Sequence, residues 1–115
     1  ETTGEELTPL AHSSSRRGFS EQTAEKLQEL LAGVVAEGTG RQAAPSEGTA
    51  AGKTGTAQTG QFRDGEELKN YWFAGFYPAE KPRWTIVVMQ DAQTEPEVSS
   101  AAVFARLCDA LSAGE

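Results

Sequence analysis

The chain has 115 residues, one domain or one piece of a larger one, with 37% hydrophobic side chains and a formal net charge of -7. The acidic balance argues against a nucleic-acid surface, which needs a basic face, and no block of like charges makes it a tail. One cysteine, Cys108, excludes an internal disulfide, and the longest apolar run, from Trp84 to Met89, is far short of a bilayer span.

In chain order, residues 1–19 are polar and weakly patterned, with a loop-like Ser/Arg/Gly stretch at 13–18 and a poorly supported strand at 7–11. No signal-peptide pattern opens them, so the chain as given is expected to be soluble, with any membrane anchor outside it. A helix is expected over 21–37. Ser20 can cap its first turn, and Ala24, Leu27, Leu30, Leu31, Val34 and Val35 fall three and four apart on one stripe. Gly38 suits a left-handed stop, and residues 38–48 read as a Gly/Pro/Ser-rich connection.

Three strands follow. The first, at 49–58, is rich in Gly, Ala and Thr, which suits an edge approached closely by something else. The second (71–77) and third (83–90) are bulky on both faces, a pattern for the inside of a sheet. Residues 59–69 read as a loop containing an Asp64-Gly65 turn signal, and 78–82 is short enough for a hairpin. A last helix is expected at 99–113, with Val103, Phe104, Leu107, Cys108 and Leu111 inward. The fold class expected is α/β (α+β): an antiparallel meander of at least three strands with flanking helices. Trp72, Phe73, Phe76 and Trp84 read as sheet core.

The chemistry-bearing stretch is Gly52-Lys53-Thr54-Gly55-Thr56-Ala57, which puts an ammonium, two hydroxyls and a bare backbone position close together. A phosphate-binding loop would need glycine at position 47, where Glu47 stands, and a helix after the lysine, where Gly55-Thr56-Ala57 follows. The plainer alternative is a surface lysine that protects a Thr-rich edge strand from aggregation. The only histidine, His12, has no nucleophile and carboxylate in a recognisable frame and reads as an exposed loop residue. Cys108 reads as core, and one His and one Cys make no closed metal site.

Lys-Thr-Gly is also one of three motifs of active-site serine penicillin-recognising enzymes, beside Ser-x-x-Lys and a Ser-x-Asn-like triplet. Here it lies between a helix ending Val34-Val35-Ala36-Glu37-Gly38-Thr39-Gly40 and the aromatic strand Trp72-Phe73-Ala74-Gly75-Phe76-Tyr77-Pro78. In the order and spacing of these blocks, over about 20–91, the chain resembles the C-terminal part of the transpeptidase domain of penicillin-binding proteins, most like the monofunctional (class B) kind. The resemblance implies a peptidoglycan D,D-transpeptidase that cross-links stem peptides through an acyl-serine intermediate and is inhibited by β-lactams. It implies that Lys53 brings positive charge to the cleft and that the Thr54 and Thr56 hydroxyls bind the carboxylate of a stem peptide or β-lactam. Gly55 would leave room, and the Thr56 amide would be one oxyanion donor. No metal or organic cofactor is implied, no nucleic acid, and a location on the outer face of a bacterial cytoplasmic membrane.

The other two motifs are missing. The residues three before Lys26, Lys53, Lys69 and Lys81 are Thr23, Ala50, Glu66 and Pro78, and the residue two before the only asparagine, Asn70, is Leu68. The 115 residues are therefore expected to be a single unit, a C-terminal fragment of that domain without its nucleophile, inactive alone and completed by the missing remainder. Exposed apolar surface would then favour self-association. Two other readings stay open: a fragment of a serine β-lactamase or penicillin-sensing domain, and a non-catalytic interaction module.

Overall fold

A computed structural model describes residues 14–114. His12 and the segment 7–11 lie outside the described residues. The elements are helix α1 (Glu21–Ala36), a single 3-10 turn (Arg41–Ala43), strands β1 (Ala51–Arg63), β2 (Glu66–Tyr77) and β3 (Trp84–Gln93), and helix α2 (Ser100–Ala113). The strands form an antiparallel sheet in the order β1-β2-β3.

Both helices start where a serine can accept a free amide. Ser20 Oγ accepts from the Thr23 amide at 3.2 Å, and Ser99 Oγ from the Ala102 amide at 3.1 Å. The end of α1 differs from expectation. Gly38 is not left-handed; its amide and that of Gly40 donate to the Val34 carbonyl at 3.1 and 3.0 Å. A Cβ on Gly38 would lie 3.0 Å from Val34 Cα, so the glycine answers to a close approach rather than to positive φ.

The expected loop at 59–69 is a correction. These residues continue β1 and β2 into one long hairpin, closed by Asp64 (φ 53) and Gly65 (φ 84). Two adjacent positive φ angles give a turn whose twist matches that of the strands it joins. A register shift between Gln58 and Gln61, with Gly60 at φ 72, breaks the alternation and hides the strand in the sequence. Thr59 Oγ1 donates to the Leu68 carbonyl across this bulge.

β1 is an edge strand and β2 is central, as their compositions suggest. β3 was expected inside the sheet, yet among the described strands it has β2 alone as a neighbour. On the sheet face shared with Trp72 and Ala74, Val87 is 56% and Met89 44% exposed. α2 covers the other face, where the Phe73 and Phe104 rings meet with centroids 4.6 Å apart. Gly52 and Gly75, paired across β1 and β2, let the rings lie against the backbone. A Cβ on Gly75 would fall 3.0 Å from Phe104 Cζ and 2.3 Å from the Ala51 carbonyl oxygen.

The core is small: Val35, Ala43, Ala50, Phe73, Tyr77, Ala101, Phe104 and Cys108. Several residues expected inside are not. Leu27, Leu30 and Leu107 are exposed because no described element covers those sides of the helices, and Trp72 is exposed on the sheet face away from α2. Phe76 and Trp84 are half-buried. Trp84 stacks with Tyr77 at 6.2 Å and carries the Arg83 guanidinium 4.6 Å from its ring centroid.

Candidate functional site

The start of β1 is fixed from three sides. Asp109 of α2 accepts from the Ser46 amide at 2.7 Å and from its hydroxyl at 3.0 Å. Tyr77 Oη donates to the Glu47 carbonyl at 3.1 Å, and the Ala79 amide to the Thr49 carbonyl at 2.8 Å. From α1, Gln28 Nε2 donates to the Ala79 carbonyl at 2.8 Å. The Thr49 hydroxyl donates to the Glu80 carboxylate and holds its pKa below the usual value. A strand tethered this way presents its next residues with little freedom to move, which a preorganised site requires.

Those next residues are the motif. Lys53, Thr54, Gly55 and Thr56 pair with Ala74, Phe73, Trp72 and Tyr71 of β2, and no described strand pairs with the outer edge of β1. Strand alternation puts Thr54 and Thr56 on the face of Phe73, toward α2, and Lys53 and Gly55 on the other. The lysine does not stay there. Its Nζ donates to the Thr54 carbonyl at 3.4 Å and to Thr54 Oγ1 at 3.3 Å, bringing the ammonium to the threonine of the opposite face. Lys53, Gly55 and Thr56 are exposed and Thr54 is half-buried, so the structure brings all four together on an accessible rim.

Gly55 faces open space. A Cβ there would find only Trp72 Cβ, at an ordinary 3.6 Å, so nothing described forbids a side chain. Beside Thr54 and Thr56 lies a cavity of about 160 Å3, closed by Thr39, Gln42 and the segment from Glu95 into α2. Its wall is braced by Ser99 Oγ donating to Gln42 Oε1 and by Ser100 Oγ donating to the Tyr71 carbonyl at 2.8 Å. Gln42, Glu95 and Ser99 carry no local sequence signal for this role, because they reach the motif only through the chain reversals of the fold. A larger cavity, about 560 Å3, lies between α1 and residues 44–50 and includes none of Lys53, Thr54, Gly55 or Thr56.

The rim offers hydroxyls, strand-edge amides and one positive charge, which suits a carboxylate on an extended ligand. It supplies no activated nucleophile. Cys108 is fully buried, and desolvation pushes its thiol up from 9.0 to about 11, the opposite of what a reactive cysteine needs. Among the described residues no cluster of His, Cys, Asp or Glu could hold a metal ion.

Comparison with known proteins bears on this edge. Residues 8–109 match the family described as the penicillin binding protein transpeptidase domain. Stage V sporulation protein D of Bacillus subtilis is 39% identical over 87 residues, which is 73% of this chain and 13% of that protein. Penicillin-binding protein PbpB of Mycolicibacterium smegmatis is 40% identical over 90 residues, 66% of this chain and 13% of that one. Among solved structures, the D,D-transpeptidase domain of a peptidoglycan glycosyltransferase from Eggerthella lenta aligns with a TM-score of 0.68 and 32% identity, over 90% of this chain and 24% of its own. The chain thus spans 13% of the length of these curated relatives. Lys-Thr-Gly on an open strand, a three-stranded antiparallel sheet backed by helices, and a match running through nearly all of it agree: the chain belongs to the penicillin-binding protein transpeptidase domain family.

Proposed function

We propose that this chain forms the lysine-strand wall of the active site of a peptidoglycan D,D-transpeptidase. The serine nucleophile, its activating lysine and the second oxyanion amide come from polypeptide outside these 115 residues. A stem peptide, or a β-lactam in its place, lies along the outer edge of β1 as an added strand. Its carboxylate accepts hydrogen bonds from the Thr54 and Thr56 hydroxyls, and the Lys53 ammonium adds positive charge. When the serine attacks the scissile carbonyl, the Thr56 amide stabilises the developing oxyanion, a contribution worth about 3 kcal/mol in acyl transfer. Gly55 keeps the approach clear for the reacting groups. This chemistry uses no metal and no organic cofactor.

One observation carries the reading: the Lys53 ammonium, both hydroxyls and the bare Gly55 meet on a tethered, unpaired strand edge. We infer that the parent enzyme works on the outer face of a bacterial cytoplasmic membrane, a reading that its likeness to penicillin-binding relatives supports. Among the described residues no helix is long and apolar enough to cross a membrane.

The test is acylation of the full-length protein by a fluorescent penicillin. A stable stoichiometric adduct is expected, and Lys53→Ala should slow its formation roughly a hundredfold. Labelling of the variant at the wild-type rate would overturn the assignment. Rapid release of hydrolysed penicillin would place the parent with the β-lactamases instead.

A further inference from the structure

The cavity beside Thr54 and Thr56 is electrically lopsided. Around it, Thr39, Gln42 and Ser99 are neutral hydrogen-bonding groups, and among the described residues Glu95 is its one charged lining residue. No hydrogen bond or ion pair engages the Glu95 carboxylate among the described residues. The Lys53 ammonium is not part of this lining but lies 3.3 Å from Thr54 Oγ1, which is. Thr54 therefore has a positive group beside it, while the cavity wall that it shares with Thr56 carries an exposed carboxylate, Glu95.

A purely anionic ligand gains from the first and is repelled by the second. A ligand carrying a cation within a few bonds of its carboxylate gains from both. The space, about 160 Å3, is several times the roughly 30 Å3 that a water occupies in the liquid, enough for a small cationic substituent. We propose that this cavity is a subsite for a cationic group adjacent to the ligand carboxylate, with Glu95 as the residue that selects it. The inference rests on the reading of Thr54 and Thr56 as the carboxylate site and adds a specificity determinant to it.

The test uses the full-length protein and two cephalosporins with the same acyl side chain, cephalothin and cephaloridine. They differ in the group next to the carboxylate, acetoxymethyl in the first and pyridiniummethyl in the second. Second-order acylation constants are measured for wild type, Glu95→Gln and Glu95→Lys, and each variant's cephaloridine-to-cephalothin ratio is divided by that of wild type, which cancels intrinsic reactivity. Glu95→Gln should lower this ratio by about two- to fivefold, the range of an exposed ion pair, and Glu95→Lys should lower it further. A ratio unchanged in both variants overturns the inference and leaves the transpeptidase reading standing. Failure of both compounds to acylate the wild-type protein overturns the two together.

Discussion

Gly55 and Gly75 sit on neighbouring strands and answer to different neighbours. At Gly75 an added methyl would meet the Ala51 carbonyl at 2.3 Å, so Gly75→Ala should destabilise the isolated chain by about 1–3 kcal/mol, the usual cost of overpacking. At Gly55 the methyl meets nothing closer than 3.6 Å, and Gly55→Ala should leave stability unchanged or raise it by up to about 1 kcal/mol. Urea unfolding of the two variants checks the contrast. In the full-length protein Gly55→Ala should nonetheless slow penicillin acylation if the proposed ligand occupies the space it fills; an undiminished rate would remove Gly55 from the site. Lys53, Thr54, Gly55 and Thr56 were legible in the sequence because their chemistry is concentrated in four consecutive residues. Gln42, Glu95 and Ser99 were not, since Gln42 arrives from the 3-10 turn before β1 and the other two from beyond β3.

The elements most legible in the sequence were those with strong local signals. Ser20 and Ser99 cap the two helices, and the aromatic block forms the central strand. The far half of the β1–β2 hairpin was missed because its bulge and polar residues give no two-residue rhythm, although Asp64-Gly65 marked its turn correctly. Apolar stripes were legible as helices but not as core: Leu30 fits the α1 period and is 66% exposed, since periodicity identifies a sticky face and not what covers it. How the elements are joined is open to test at Asp109. Its two hydrogen bonds tie the loop before β1 to α2, so Asp109→Ala should cost about 1–2 kcal/mol in urea unfolding at unchanged m-value. It should also slow acylation of the full-length protein by loosening the strand. A variant of wild-type stability would show that this tether contributes nothing.

At the scale of the molecule, the described residues are spread more widely than a closed domain. The radius of gyration is 16.8 Å, against about 13 Å for a compact domain of this size. Among the described residues only Phe73, Phe104 and Cys108 stand out as large, fully buried side chains, while Trp72, Val87 and Met89 lie exposed on the sheet face away from α2. Apolar surface of this kind is covered in solution by a partner or by another copy. The isolated chain should therefore self-associate, with a light-scattering mass that rises with concentration; a strict monomer at several hundred micromolar would contradict this. On the proposed function, the remainder of the domain would pack on this surface and bring the nucleophile to the Lys53 rim. Intact-mass spectrometry after exposure to benzylpenicillin tests that division of labour most directly. The account predicts one penicillin adduct on the full-length protein, mapping outside residues 1–115, and none on the isolated chain. An adduct on the isolated chain, or none on the full-length protein, would contradict it.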